Sequence, residues 1–223
     1  MAERTQRGVL GGGYLSRGLD VLIAAAVLLF GAPVLAAVAC LIRFTLGAPV
    51  FFRQERAGLD ERPFDLVKFR TMRASHDGDD GPDSDQQRLT RLGRFLRATS
   101  LDELPTMVNV IRGQMSLVGP RPLPVRYLPR YSAYHARRHS VRPGITGWAQ
   151  VHGRNQLSWD EQLTLDVWYV DHRSLWLYLR ILARTLATVV RRDGISHPTH
   201  ATRPEFPGSA SPTDVSEPVT LDA

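Results

Sequence analysis

Cysteine and lysine are almost missing from this chain of 223 residues, which holds one of each, Cys40 and Lys68. A single thiol excludes an intramolecular disulfide and any metal centre built from cysteines. Cys40 lies in an apolar segment, where it reads as a small hydrophobe. Of the 28 basic residues 27 are arginine, so the lone Lys68 marks a place suited to a compact ammonium rather than a planar fork. No GxxxxGK[ST] segment offers a P-loop, and no HExxH or Cys/His cluster points to zinc. The chain has no internal repeat. The basic surplus is not spread evenly. From residue 197 onward there are four acids and one arginine, which leaves 27 basic against 18 acidic residues in the rest. Such a surplus suits an anionic partner: a phosphorylated substrate, anionic lipid or nucleic acid.

Charge is absent altogether from residues 21–42, VLIAAAVLLFGAPVLAAVACLI. That length reaches across a bilayer core of about 30 Å as a helix. It is too long for the core of a signal peptide and leads directly into Arg43 and the APVFFRQER segment. Pro33 removes a backbone donor near its centre, so a kink is expected there. Arg4, Arg7 and Arg17 precede the segment and Arg43, Arg53 and Arg56 follow it, so the positive-inside tendency gives no orientation. A helix that enters, bends at Pro33 and returns satisfies both observations. An ordinary span containing proline also fits, and on the residues alone both stay open.

Beyond the anchor, apolar and polar positions alternate around a turn at residues 58–63, predicting a small hairpin with strands at 49–54 and 64–70. Residues 75–87 contain no large apolar side chain and read as an exposed loop. Its aspartates lack the closing glutamate of a calcium loop. Residues 88–98 predict a basic helix with Leu89, Leu92 and Leu96 on one side. A second amphipathic pattern runs from 159 to 192, with Arg173, Arg180, Arg184 and Arg191 opposite Leu175, Leu182, Leu186 and Val189. This face suits either a membrane interface or a domain surface. The expected organisation is a polar segment at 1–17, a membrane helix at 18–45, a catalytic domain at 46–195 and a disordered tail at 196–223.

Asp102 and Glu103 are adjacent acids following Ser100. Taken locally, Ser100-x-x-Glu103 predicts a capping box at a helix N-terminus. Their wider neighbourhood is different in kind. Arg94 and Arg97 precede the pair, Gly119-Pro120-Arg121-Pro122 follows, and Arg142 and Arg154 lie in a Gly-rich loop beyond. Paired carboxylates among arginines and glycines suit phosphoryl chemistry: one acid attacks phosphorus or takes a proton, the other holds Mg²⁺, and arginines balance oxyanion charge. Prolines on both sides of Arg121 aim its guanidinium in one direction, and either X-Pro bond can be cis.

Four segments in order, PVFFRQERAG, PFDLVKFRTMR, TSLDELPTMVNVIRGQMSLVGPRP and RPGITGWAQVHGRN, together with the preceding apolar run, resemble the bacterial sugar transferases, the compact monotopic phosphoglycosyl transferases. The likeness covers roughly residues 15–192. It implies an α+β, mainly helical fold: a re-entrant membrane helix hairpin broken at Pro33, a small β-hairpin, and amphipathic interfacial helices around the active site. It implies transfer of a sugar-1-phosphate from a UDP-sugar to polyprenyl phosphate with release of UMP, at the bacterial inner membrane on its cytoplasmic face. Asp102 would be the nucleophile that forms a phosphosugar-aspartyl intermediate, and Glu103 an Mg²⁺ ligand and acid–base partner, with Asp102 also near the metal. Lys68, Arg97, Arg121, Arg142 and Arg154 would bind phosphate, and Gly144, Gly147 and Gln150 would help hold the nucleotide. The expected partners are UDP-sugar, polyprenyl phosphate and membrane lipid, without nucleic acid, and a homodimer is left open. Ala32, Thr106, Gln114 and Tyr178 depart from the family's usual residues. The alternative reading is a non-catalytic membrane-bound basic module or scaffold, motivated by the net charge, the RYSAYHARRHS stretch and those departures.

Overall fold

The computed structural model describes residues 2–74, 85, 87–153, 157–191 and 205–209, with the side chains of 2–12 and 189–191 excepted. Most of the predicted loop at 75–87, and Arg154, lie outside the described residues.

Helix α1, Ala2–Thr45, contains the whole apolar segment and continues through Pro33 without ending there. Ala and Leu dominate this stretch, and neither opposes a helix. Most of the segment is uncovered: Leu29 is 71% and Phe30 80% exposed. Its two ends are not. Ala24 is buried against the core that holds Val110, Leu117 and Tyr178. Val38 and Ile42 are buried with Phe69 and Leu96. From Asp20 to Ile42 a straight helix rises about 33 Å, yet both ends pack on one domain.

The predicted hairpin is present. Strands β1 (Phe51–Ala57) and β2 (Pro63–Phe69) pair antiparallel, with Phe51 opposite Phe69. The first strand is displaced toward the C-terminus relative to the alternation pattern. The chain turns only after Ala57, where the Gly58 amide donates to the Arg62 carbonyl. Helix α2 (Arg91–Ala98) is capped by the Thr90 hydroxyl and lays Leu92 and Leu96 against Ile42 and Phe69, as the leucine spacing predicts. A 3-10 turn, Leu101–Thr106, leads into the short helix α3 (Met107–Ile111). Strands β3 (Ser116–Val118) and β4 (Gly144–Thr146) form a parallel pair. Between them lie 3-10 turns and the one-turn helix α4 (Ala133–Ala136). Helix α5 (Trp148–Val151), helix α6 (Trp159–His172) and helix α7 (Leu175–Arg191) complete the domain. Ser158 and Glu161 form a reciprocal capping box at the start of α6.

The packed face of α7 differs from the amphipathic reading. Leu177, Tyr178 and Ile181 are buried, whereas Leu186 is 69% and Trp176 74% exposed. Arg184, expected on an outer basic strip, turns inward to His152 and lies over the Trp148 ring. The tail reading also changes. Residues 205–209 lie against the domain, with the Phe206 side chain completely buried.

Candidate active site

Strand β2 places Lys68 on the same face as Phe64 and Leu66, two residues apart along the pleat. The free edge of β2 is held by side chains instead of another strand. The Thr106 hydroxyl donates to the Val67 carbonyl, Asn109 accepts from the Val67 amide, and its Nδ2 donates to the Asp65 carbonyl. Asn109 Nδ2 also donates to Gln114 Oε1. Thr106 and Gln114, two of the departures, therefore form part of the clamp that fixes the 101–106 turn to β2. That clamp sets Glu103 beside Lys68.

Glu103 Oε1 accepts from Lys68 Nζ at 2.5 Å and from Arg121 Nη2 at 2.8 Å. The two cations hold this carboxyl well below the ordinary carboxylate range, overcoming the opposing effect of burial. Burial pulls Lys68 below its usual value against the pull of Glu103. Asp102 behaves in the opposite way. Among the described residues nothing donates a hydrogen bond to its carboxylate, and burial together with the negative Glu103 raises its pKa to about 6. Lys68, Arg97 and Arg121 act against that rise without cancelling it. Ser100 does not cap the turn: its side chain makes no capping bond, and its backbone is left-handed at φ 57°. The local capping-box reading is thus corrected, because the Glu103 side chain is taken by Lys68 and Arg121.

A cleft lies beside this group, lined by Arg56, Lys68, Glu103, Arg121, Gly144 and Ile145 among others. Arg56 was missed in the sequence reading. Its Nη1 donates to the Pro122 carbonyl while its buried Nε has no hydrogen-bond partner. Burial and Arg121 lower its pKa to about 10, so it stays charged at neutral pH. Three cations against one carboxylate line the cleft, an excess suited to phosphate oxygens. Arg97 donates through Nε to Thr71 Oγ1, and its electrostatic neighbours include Asp102.

The Gly-Pro-Arg-Pro segment follows β3, and its peptide bonds around Arg121 are trans; the cis bond among the described residues is Ala48–Pro49. Arg138 donates to the Arg121 carbonyl at 2.6 Å and forms an ion pair with Asp166, both side chains 1% exposed. This buried pair backs the loop and was not foreseen. Gly119, Gly144 and Gly147 are packed backbone against backbone. A Cβ on Gly144 would lie 2.1 Å from the Gly119 nitrogen, and one on Gly147 would lie 2.2 Å from the Gly119 oxygen. Gly144 reaches the cleft, whereas Gly147 supports Gly119 from behind. Among the described residues the buried amide atoms of Gln150 meet no hydrogen-bond partner.

Arg142 is not brought to this site. It donates to the Gly113 carbonyl and lines a second cavity with Arg17, Asp20, Arg173 and Tyr178. There Asp20 accepts from the Leu117 amide, the Ser116 hydroxyl and the Tyr178 hydroxyl. The departure at Tyr178 is thereby explained as the partner of an acid at the start of the apolar segment. Pro33 and Ala32 are exposed on α1. Among the described residues no three His, Cys, Asp or Glu side chains converge. At the site itself, Asp102 and Glu103 are the carboxylates available to a hard cation.

The profile of one family, described as bacterial sugar transferase, matches residues 12–192. The chain belongs to that family. The uncharacterized sugar transferase EpsL of Bacillus subtilis (strain 168) is 51% identical over 168 residues, 75% of this chain and 83% of that protein. A UDP-glucose:undecaprenyl-phosphate glucose-1-phosphate transferase of Caulobacter vibrioides is 42% identical over 190 residues, covering 79% of this chain and 70% of the relative. The Escherichia coli (strain K12) enzyme of the same name is 37% identical over 182 residues, which span 77% of this chain and 39% of that longer protein. Like these sugar transferases, the chain is an enzyme of the phosphoglycosyl transferase class.

Proposed function

We propose that this sugar transferase moves a sugar-1-phosphate from a UDP-sugar to polyprenyl phosphate and releases UMP, starting the assembly of a lipid-linked glycan. The observation that carries this reading is the opposed electrostatics of two adjacent carboxylates: Glu103 locked ionised by Lys68 and Arg121, Asp102 unbonded and poised near pH 6. Asp102 is the nucleophile. Its carboxylate oxygen forms a bond to the phosphorus bearing the sugar, the bond from that phosphorus to the UMP oxygen breaks, and UMP leaves. A phosphate oxygen of the polyprenyl acceptor then attacks the same phosphorus and frees Asp102. The cations Arg56, Lys68 and Arg121 balance the charge on the pyrophosphate.

The acceptor phosphate is already ionised, so neither displacement needs a strong base. Glu103, held so acidic, suits charge placement better than proton transfer. Mg²⁺ fits the donor set, since both cations occupy Glu103 Oε1, leaving Oε2 and the Asp102 carboxylate, with substrate oxygens able to fill the remainder. When bound it would neutralise pyrophosphate charge.

The membrane reading rests on α1. Both ends of its apolar run pack on one domain while the middle is exposed, which supports a segment that enters the bilayer and returns over one that carries its ends to opposite faces. On this reading the helix turns back near Pro33, exposed faces of α2 and α7 lie at the interface, and the domain sits on the cytoplasmic face of the inner membrane, where nucleotide sugars are.

The test is UMP release from a panel of UDP-sugars with polyprenyl phosphate and Mg²⁺, joined to intact-mass measurement of the protein with donor alone. A phosphosugar adduct on Asp102 is expected. Normal turnover by Asp102→Asn would exclude the covalent route.

A further inference from the structure

The C-terminal stretch after residue 192 holds one Phe, Tyr or Trp, Phe206, and that ring is completely buried. It sits among Tyr127, Tyr131 and Trp159, with ring centroids 5.6, 5.4 and 5.2 Å away, in a cluster that also holds Leu123 and Leu163. The flanking residues add polar contacts. The Glu205 carboxylate lies 3.0 Å from Arg130 and 3.4 Å from Arg126. Arg130 also donates to the Phe206 carbonyl, and the Ser209 amide donates to the Arg130 carbonyl at 2.9 Å. His135 Nδ1 is 2.7 Å from the Ser209 hydroxyl. Gly208 has φ 127°, a conformation that strains any residue with a Cβ. Four of these five residues thus meet a specific complement: charge, an aromatic socket, a turn that needs glycine, and a backbone bond.

The socket is joined to the catalytic loop. Leu123, a member of the same cluster, directly follows Arg121 and Pro122, and Tyr127, whose ring meets Phe206, lies four residues further on. The Leu123 carbonyl accepts from the Ala57 amide, and the Pro122 carbonyl accepts from Arg56. We propose that Glu205–Ser209 is an intramolecular ligand of the catalytic domain, seated in a peptide-recognition groove whose filling holds the Arg121 loop in place. The groove is a site for short peptides of acid–Phe–Pro–Gly–Ser chemistry, and the chain supplies its own. Phe206 is a positioning residue, acting on Arg121 through the cluster that Tyr127 and Leu123 share with it. Docking is a statement about binding, whereas its effect on turnover rests on the transferase reading.

The test uses the full chain in detergent and a fluorescein-labelled peptide of residues 203–211 as probe. A tethered tail competes at an effective concentration in the millimolar range, so the wild-type chain should exclude micromolar peptide. The Phe206→Ala chain, with its tail released, should bind the peptide on the order of 30-fold more tightly than wild type, the scale of a buried aromatic anchor. Glu205→Gln should change occupancy only a few-fold, because its ion pairs are exposed. Turnover by Phe206→Ala should fall through kcat, and the free peptide should restore it; a peptide carrying Phe206→Ala should not. Equal binding to both chains, or to neither, overturns the groove. Unaltered turnover in Phe206→Ala, or peptide binding without rescue, overturns the coupling to Arg121. Peptide binding is read without donor or acceptor, so failure of the wild type to transfer sugar phosphate would sink the transferase reading and leave this result readable.

Discussion

Replacing Asp102 with asparagine should abolish transfer and at the same time make the protein more stable. The carboxyl is raised from 3.8 to about 6 by burial and by Glu103, which is a cost of about 3 kcal/mol for keeping it ionised in the folded chain. Asparagine has nearly the same shape and no charge to desolvate. The pH dependence gives the sign. Above pH 6 the group is ionised both folded and unfolded, so the folded state bears the whole cost. As pH falls through 6 toward 4 the folded state takes up its proton first and the cost disappears. The gain from Asp102→Asn is therefore about 3 kcal/mol at pH 7, about half of that at pH 5, and small at pH 4. For a domain of this size the value at pH 7 corresponds to roughly 6–12 °C in Tm. Thermal unfolding of both chains in the same detergent at pH 7 and pH 5 measures it, with UMP release followed alongside. A variant that is less stable than wild type at pH 7, or equally stabilised at both pH values, would refute the electrostatic account of Asp102. Such an exchange of stability for activity is expected where a charge is held in readiness without a partner.

Three further outcomes follow from the same geometry. The rate of adduct formation should lose its ionised nucleophile below pH 6, falling about tenfold per pH unit, and Glu103→Gln should move that limb to lower pH by removing the neighbouring negative charge; single-turnover rates from pH 5 to 8 decide it. Arg138→Met takes the buried ion-pair partner from Asp166 and should cost about 3–5 kcal/mol; adding Asp166→Leu should recover stability in a denaturant titration while turnover stays low, since the Arg121 carbonyl still lacks its donor. In a Cys40→Ala chain, single cysteines at Gly13 and at Thr45 should both be shielded from an impermeant maleimide in intact cells and both react after lysis; reaction of only one in intact cells rules out the returning helix.

The parts of the fold that were legible in the sequence are those set by neighbours along the chain. Alternation around residues 58–63 announced the hairpin, and Leu92 and Leu96 announced the inner side of α2, because each depends on a local period; Leu89, expected on the same side, precedes the helix and bridges to Met72 instead. The anomalous Lys68 and the Asp102–Glu103 pair stood out by composition, and the fold does bring them together with Arg121. What local pattern conceals is pairing across long separations. Arg138 with Asp166 and Asp20 with Tyr178 are 28 and 158 residues apart, and each arginine or tyrosine alone looks like a surface residue. Arg142 followed the Gly-rich loop in sequence but faces the opposite cavity. Local reasoning misled at Ser100, where a sound capping pattern yields to two cations, Lys68 and Arg121, that bind the same carboxylate. Phe206 was hidden for another reason: the polar composition around it predicts disorder, and the aromatic socket that receives the ring is assembled from residues 40 to 80 positions earlier in the chain.

The seam of glycines at 119, 144 and 147 bears on how a family with one chemistry can serve many sugars. Where the two strands approach this closely, the surface presented by Gly144 to the cleft is peptide backbone, and no viable substitution can alter its texture. Heritable change in what the cleft accepts is thereby displaced to neighbours that do carry side chains, among them Leu66, Met115 and Ile145. On the proposed reading, the main chain here stays fixed and discrimination among donors falls to the side chains around it.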